Sequence, residues 1–256
     1  MAFSDVHSGR DVNFPNVVHE KYINTFGSLF SAIFKKLKKE FKNSDIIINM
    51  GDVIADKDRR EDIETYKEFI NLFREIKEPV IHVIGNHEAK HIPRTKLAKF
   101  IKQKDTYYSK NIDGFHFIVL DGRWDGYPYF LPEKQIEWLK KDLNKNQLPT
   151  IICIHYPVDE QNIGDNPYFT EHRKINFFID KKSKVRSIFE QSKNVLLVIQ
   201  GHSHFPSKQE INDIVYLTIP SLTENNGKGK PSNKYTEIDI NDKTHKIKTK
   251  IRKLSN

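Results

Sequence analysis

Short apolar runs recur along the chain, and each stops at a glycine or a small polar motif. "DIIINM" ends at Gly51, "PVIHVI" at Gly85, "TIICI" at His155 and "VLLVI" just before Gly201. Runs of this kind predict buried strands. Between them the period changes. Phe26, Leu29, Phe30, Ile33, Phe34, Leu37 and Phe41 recur at helical spacing, which predicts an amphipathic helix over 19–41. Ile63, Tyr66, Phe69, Ile70 and Phe73 mark a second helix, "PEKQIEWLKKDL" a third with proline in its first turn, and 185–191 a fourth. "YYSKNIDGFHFIVLD" predicts a hairpin that turns at Asp113-Gly114. "IVYLTI", "KYTEIDI" and "KIKTKI" are later strands. The first strand begins at Ala2 and ends at Asp5, shorter than a buried strand usually runs. Either that strand is very short, or a natural N-terminal segment is missing ahead of it.

Strand and helix alternate at first, and consecutive strands follow late. That order predicts an α/β fold of two packed mixed β-sheets flanked by helices. There is no internal repeat. Proline, glycine, serine and asparagine concentrate only in "SLTENNGKGKPSN", 221–233, which reads as a mobile loop near a substrate entrance rather than a linker. The expectation is one domain over residues 1–256.

The chain carries a formal charge of +8, mostly from lysines in "KKLKKEFK", "KKSKVR" and "KTHKIKTKIRK". These are scattered, so they read as solvated faces; a nucleic-acid partner is possible but not favoured. Cys153 is the single cysteine, which excludes internal disulfides and a cysteine-rich zinc site. Its place inside "IICI" makes it a small core residue. No apolar run approaches a membrane span and no signal peptide is visible, so no membrane partner and a cytoplasmic location are expected.

The polar residues cluster where strands end. "SDVHSG" follows the first strand, "GDVIAD" the second, "GNHE" the third, "HYP" the fourth and "GHSH" the fifth. Ligands of open α/β sheets bind at the carboxyl ends of the strands, so these motifs converge on one rim. The donors are carboxylate, amide and imidazole, without thiolate, a set suited to Zn, Mn or Fe. They are too many for one ion, and two ions about 3.5–4 Å apart, bridged by a carboxylate, would use them all. His202 and His204 fall on one side of an extended segment, so each can serve a different ion.

Those motifs in that order resemble the calcineurin-like metallophosphoesterase superfamily, over most of the chain. "LDGRW", "QIEWLKKDL", "HYP" and "GHSHF…IVYLTIPSLTE" are most similar to the branch holding class III cyclic-nucleotide phosphodiesterases. The resemblance implies an αββα sandwich and two divalent or mixed-valence metal ions, with Mn, Fe and Zn as candidates. It implies that Asp5, His7 and His204 hold the first ion, that Asp52 bridges, and that Asn86, His155 and His202 hold the second. His87 and Asn86 are the catalytic residues it implies, His87 facing the phosphate to stabilise it or protonate the leaving oxygen. The implied reaction is phosphoester hydrolysis by attack of metal-bound hydroxide on a small phosphodiester or phosphomonoester such as a cyclic nucleotide. The branch often has paired histidines and prolines where this chain has His155-Tyr156-Pro157-Val158.

Arg123, Tyr156 and His91 are candidates for contact with substrate; Trp124 and Tyr127, beside Arg123, could grip a phosphate or stack on a base, with packing the default for Trp124. Asp56 and Glu88 read as supporting or helix-capping groups rather than ligands. Tyr168 and Phe169 are candidates for a cap over the site. His19, His82, His116, His172 and His245 read as structural or surface residues, His82 as a core one. Two other functions fit the same motifs: a metal-dependent nuclease acting on DNA or RNA, and a non-catalytic scaffold that retains its metal site. The oligomeric state is left open.

Overall fold

The computed structural model describes residues 1–13, 24–124, 129–162, 166, 168–169 and 177–255. In chain order its elements are β1 (Ala2–Phe3), β2 (Asp11–Asn13), β3 (Asn24–Phe26), α1 (Phe30–Phe41), β4 (Ile47–Asn49), α2 (Arg59–Leu72), β5 (Val80–His82), α3 (Asn86–His91) and α4 (Arg94–Phe100). There follow β6 (Tyr108–Ile112), β7 (Phe115–Leu120), α5 (Glu133–Lys145), β8 (Thr150–Ile154), α6 (Lys182–Ser192) and β9 (Val195–Gln200). The chain closes with β10 (Ser207–Ile211), β11 (Ile214–Thr218), β12 (Lys234–Ile240) and β13 (Ile247–Lys253).

One sheet has five strands in the order β13-β12-β1-β4-β5, and the other six in the order β10-β11-β9-β8-β7-β6. Both are mixed: β1, β4 and β5 run parallel, as do β7, β8, β9 and β11, and antiparallel strands form every edge but the one at β5. The strand β8 shows how its sequence serves two cores. Ile151 and Cys153 pack between the sheets with Ile48, Met50 and Leu197. Ile152 and Ile154 point the other way, with Leu139 of α5 and Phe189 of α6. All five residues of β8 are buried, so its run is continuously apolar rather than alternating. On the other outer face Phe3, Phe30, Phe34, Phe41, Phe69 and Phe73 pack beneath α1 and α2. Burying each such ring contributes about 1.5–3 kcal/mol. The result is the expected helix–sheet–sheet–helix sandwich.

Several details depart from the sequence reading. The first helix starts at Phe30, not residue 19; Asn24–Phe26 instead pair with β2, and 19–23 lie outside the described residues. The cause is contact with the first motif. A Cβ on Gly27 would lie 1.6 Å from the His7 carbonyl oxygen, so the chain passes against the His7 backbone before it can turn into a helix. Asp11 holds that entry by accepting from the amide and hydroxyl of Ser28, at 3.1 and 2.7 Å. Pro132 stands just ahead of α5 in an extended conformation instead of inside its first turn. The two short helices α3 and α4, and the edge strand β10, carry no period long enough to read.

Other expectations hold. Asp113 and Gly114 both have positive φ, 48° and 81°, as a two-residue hairpin turn requires. β1 is as short as it looked, yet fully buried, because β4 and β12 flank it. His82 is buried inside β5, its ring edge-on to Phe73 with centroids 5.4 Å apart. His19, Tyr127 and His172 lie outside the described residues. Among the described residues no helix is long and apolar enough to cross a membrane.

Candidate metal centre

The carboxyl ends of β1, β4, β5, β8 and β9 meet at one rim, and the backbone there is strained. Asp5, His7, Asp52, His202 and His204 all have positive φ, between 48° and 68°. Non-glycine residues in this region cost about 1 kcal/mol or more each and persist only where their surroundings fix them. Here they are fixed by amide bonds between motifs. Asp5 donates to the Gly51 carbonyl at 3.0 Å, His7 to Asp52 at 3.0 Å and Ser8 to Val53 at 2.7 Å. The "GHSH" segment is therefore turned rather than extended, with the Ser203 amide closing on the Gly201 carbonyl at 2.7 Å. The turn, not strand alternation, sends His202 and His204 to different places.

Three groups of side chains converge. One donor atom each from Asp5, His7 and His204 lie within 4.8 Å of one another, and so do those of Asp52, His155 and His202, and of His7, Asp52 and His87. His7 Nε2 is 3.1 Å from His204 Nε2, which in turn is 3.6 Å from Asp5 Oδ1. His155 Nε2 is 3.1 Å from Asp52 Oδ2. Among the described residues, the buried atoms Asp5 Oδ1, His7 Nδ1 and Asn86 Oδ1 have no hydrogen-bond partner. Buried polar atoms without partners are costly, and atoms facing a metal ion are the common exception. Carboxylate, amide oxygen and imidazole at this spacing fit divalent transition metals.

Residues 1–206 match the calcineurin-like phosphoesterase family. The chain belongs to that family. Its chemistry is metal-dependent hydrolysis of phosphoesters. It is 24% identical to the 3',5'-cyclic adenosine monophosphate phosphodiesterase CpdA of Haemophilus influenzae over 204 residues, 78% of this chain and 68% of that protein. In fold it is similar to a dimetal phosphatase from Danio rerio, with a TM-score of 0.69 and 14% identity over 99% of this chain and 98% of that one. GAP50, the anchor in the inner membrane complex of Plasmodium, shares the fold at a TM-score of 0.55 and 15% identity, over 100% and 88% of the two chains.

Two carboxylates, buried Glu88 and half-buried Asp56, organise the loops of this calcineurin-like phosphoesterase. Glu88 accepts the amides of Asp52 (3.1 Å), Val53 (2.5 Å), Ile54 (3.2 Å) and Gly85 (2.7 Å), which locks the "GD" loop to the start of α3. A Cβ on Gly85 would fall 2.1 Å from Asp52 Oδ1, so only glycine lets the loops approach this closely. Asp56 meets His87 Nδ1 and, at 2.5 Å, Lys90 Nζ. The His87 amide donates to Asp52 Oδ1 at 2.9 Å while its Nε2 stays 3.9 Å from Asp52 Oδ2. Asp56 and Glu88 thus support other groups, and Glu88 also caps α3.

These contacts set the charges. Burial lowers the pKa of His87, but Asp52 and Asp56 outweigh it and raise it to about 9. Burial, with His87 and His204 nearby, pushes His7 well below its ordinary value, leaving a neutral imidazole whose lone pair is free to bind a metal. Burial pushes the Asp5 carboxyl up. At Asp52 burial also acts upward, yet His155 and His87 prevail and hold it well below the usual range.

A cavity of about 360 Å³ opens beside the rim, lined by Asn86, His87 and Tyr156 together with Arg10, Asp56, Lys90, Arg94, Trp124 and Tyr129. Tyr156, stacked on Tyr129 at 4.0 Å, is the one substrate candidate of three brought to that lining. Arg123 is held by backbone pairing with Phe130, its Nε 3.8 Å from Asp121 Oδ2. His91 is turned onto α2, its Nδ1 2.7 Å from Asp62 Oδ2, because α3 is short and His91 lies at its far end. The sequence reading missed Arg10, Lys90 and Arg94, although Arg10 directly follows "SDVHSG" and Lys90 stands two residues past "GNHE". Tyr168 and Phe169 do cover the histidines, with ring centroids 4.5 Å from His204 and 4.8 Å from His202. A larger cavity, about 500 Å³, lies elsewhere between the sheets near Met1, Ile48 and Ile238 and holds none of the motif residues.

The serine-rich loop is also corrected. It lies at the rim, but Ser221, Thr223, Glu224, Asn225 and Ser232 are buried in it. Its hydroxyls do not face water; they bond the carbonyls of neighbouring turns.

Proposed function

We propose that this phosphoesterase uses two metal ions to hydrolyse a small phosphodiester, with a cyclic nucleotide as the leading class. The observation that carries the reading is the place of Asp52. It belongs to the group with His7 and His87 and to the group with His155 and His202, as a bridging carboxylate must. Asp5, His7 and His204 would hold one ion; Asn86, His155 and His202 would hold the other. Divalent ions at these residues supply Lewis acidity, acidifying water and neutralising phosphate charge.

The chain's own residues do the rest. Asp56 orients His87 so that Nε2 faces the reacting side. His87 then donates its proton to the departing oxygen. A divalent ion at Asp52 would cancel part of the negative charge that holds the pKa of His87 up. Lys90 and Arg94 line the cavity and favour an anionic substrate, and Tyr156 and Tyr129 give it an apolar wall. Similarity to a cyclic-AMP phosphodiesterase supports the substrate class.

The test is a substrate panel with Mn, Zn, Fe and Mg: cyclic nucleotides, nucleoside monophosphates, dinucleotide-type diphosphates and single-stranded DNA. Turnover of cyclic nucleotides above the others is expected. Exclusive turnover of monoesters or of DNA overturns the substrate class. Asp52→Asn is expected to abolish activity and disturb both ions; retention of two ions with near-normal turnover removes Asp52 from the bridge.

A further inference from the structure

The loop after β11 grips both halves of one ligand group. Its Ser221 and Thr223 hydroxyls donate to the Asp5 carbonyl at 2.7 and 3.3 Å, and Thr223 also reaches the Val6 carbonyl at 2.9 Å. The Ser221 amide donates to the His204 carbonyl at 2.9 Å, and the Leu222 amide to Ser4 at 3.0 Å. Glu224 follows. Its Oε2 lies 2.7 Å from His204 Nδ1 and accepts the Tyr168 hydroxyl at 2.5 Å. Its Oε1 accepts the Asn225 amide at 2.9 Å. The carboxylate is 4% exposed, so both oxygens are committed inside the protein.

A carboxylate at Nδ1 decides what Nε2 can do. With Nδ1–H donated to Glu224, the lone pair of His204 sits on Nε2, 3.6 Å from Asp5 Oδ1 and 3.1 Å from His7 Nε2. The other ligand group is oriented differently. His155 Nδ1 meets the Met50 carbonyl at 2.8 Å, a neutral acceptor that no side-chain change can remove.

We propose that Glu224, backed by Tyr168, is the positioning residue that fixes His204 as a ligand, and that it governs metal affinity at the Asp5–His7–His204 group without governing it at Asp52–His155–His202. This rests on the reading that both groups hold metal ions. Loss of an orienting partner of this kind weakens metal binding about 10–100-fold.

The experiment strips the full chain of metal, titrates it with Mn by calorimetry, and counts the ions retained. Glu224→Leu, Glu224→Gln and Tyr168→Phe are compared with the parent. Glu224→Leu is expected to weaken one of two binding events by about 10–100-fold and leave the other unchanged. Glu224→Gln keeps an oxygen that can accept Nδ1–H and should recover part of the loss; Tyr168→Phe should lose less than either. Histidine ring-nitrogen NMR of the stripped protein gives a readout free of both activity and metal: Nδ1–H on His204 in the parent, lost in Glu224→Leu. Two unchanged binding events in Glu224→Leu overturn the proposal. Equal weakening of both overturns it too, because Glu224 would then serve the fold alone. If Glu224→Leu does not fold, the same outcomes are read from Glu224→Gln and Tyr168→Phe. A parent chain that binds no metal overturns the metal reading itself, which separates that failure from this one.

Discussion

His87 makes separate contacts through its backbone and its ring. Its amide holds Asp52, while its ring reaches Asp56. Removing the ring leaves the amide in place. His87→Ala is therefore expected to keep its metal content and fold. It should lose about 10²–10⁴-fold in turnover on substrates with poor leaving groups, where a proton must be delivered. On a nitrophenyl ester, whose leaving group needs little protonation, the loss should be smaller. Kinetics on both substrate types with metal analysis check this. Equal losses would assign His87 to phosphate charge instead, and loss of an ion would make it a ligand. The convergence of Asp5, His7, Asp52, His155, His202 and His204 was legible in sequence, because their motifs follow apolar runs. Arg94, and what Arg10, Lys90 and Glu224 touch, were not. They owe their positions to contacts from other elements, and no local pattern records those.

At the level of elements, two glycines with similar sequence roles separate turn chemistry from site chemistry. Gly114 has φ 81°, and a Cβ there would meet nothing within 4 Å. Gly114→Ala is expected to cost about 1 kcal/mol from backbone strain alone, seen in urea unfolding, with activity intact. Gly85→Ala would press against Asp52 and is expected to abolish activity; a fully active variant would show that the "GD" loop can give way. The hairpin was readable because its turn is written in the residues that form it. Strands β4, β8 and β9 were readable because sheets covered on both faces require unbroken apolar runs. By contrast β10, "SKQEI", is an edge strand with two of its five residues exposed and none buried, so its pattern looks like a loop. The helices α3 and α4 are 6 and 7 residues long, too short to show a period. Composition misread 221–225 because serine and threonine can serve buried carbonyls as well as water.

Across the whole molecule, His82 makes stability depend on pH. Burial pushes it from 6.5 down to about 4. Above about 6.5 it is neutral in folded and unfolded chains alike, and the fold is at full strength. As pH falls, the unfolded chain takes the proton first, and stability is lost until the folded pKa near 4 is passed. Between pH 7 and 5 the loss assigned to His82 is about 2 kcal/mol. Urea unfolding at the two pH values should show a fall smaller by that amount in His82→Gln; an identical fall would mean the histidine is protonated in place. The arrangement of β1 bears on how the protein is made. Ala2 pairs with Ile48 on one side and with Thr236 on the other. During synthesis β1 therefore waits until Thr236 has emerged before its sheet can close. Asp5 and His7, which follow that strand, are set in place only once this long-range pairing has formed. A chain cut short before Thr236 is left with neither a closed sheet nor Asp5 and His7 held beside His204.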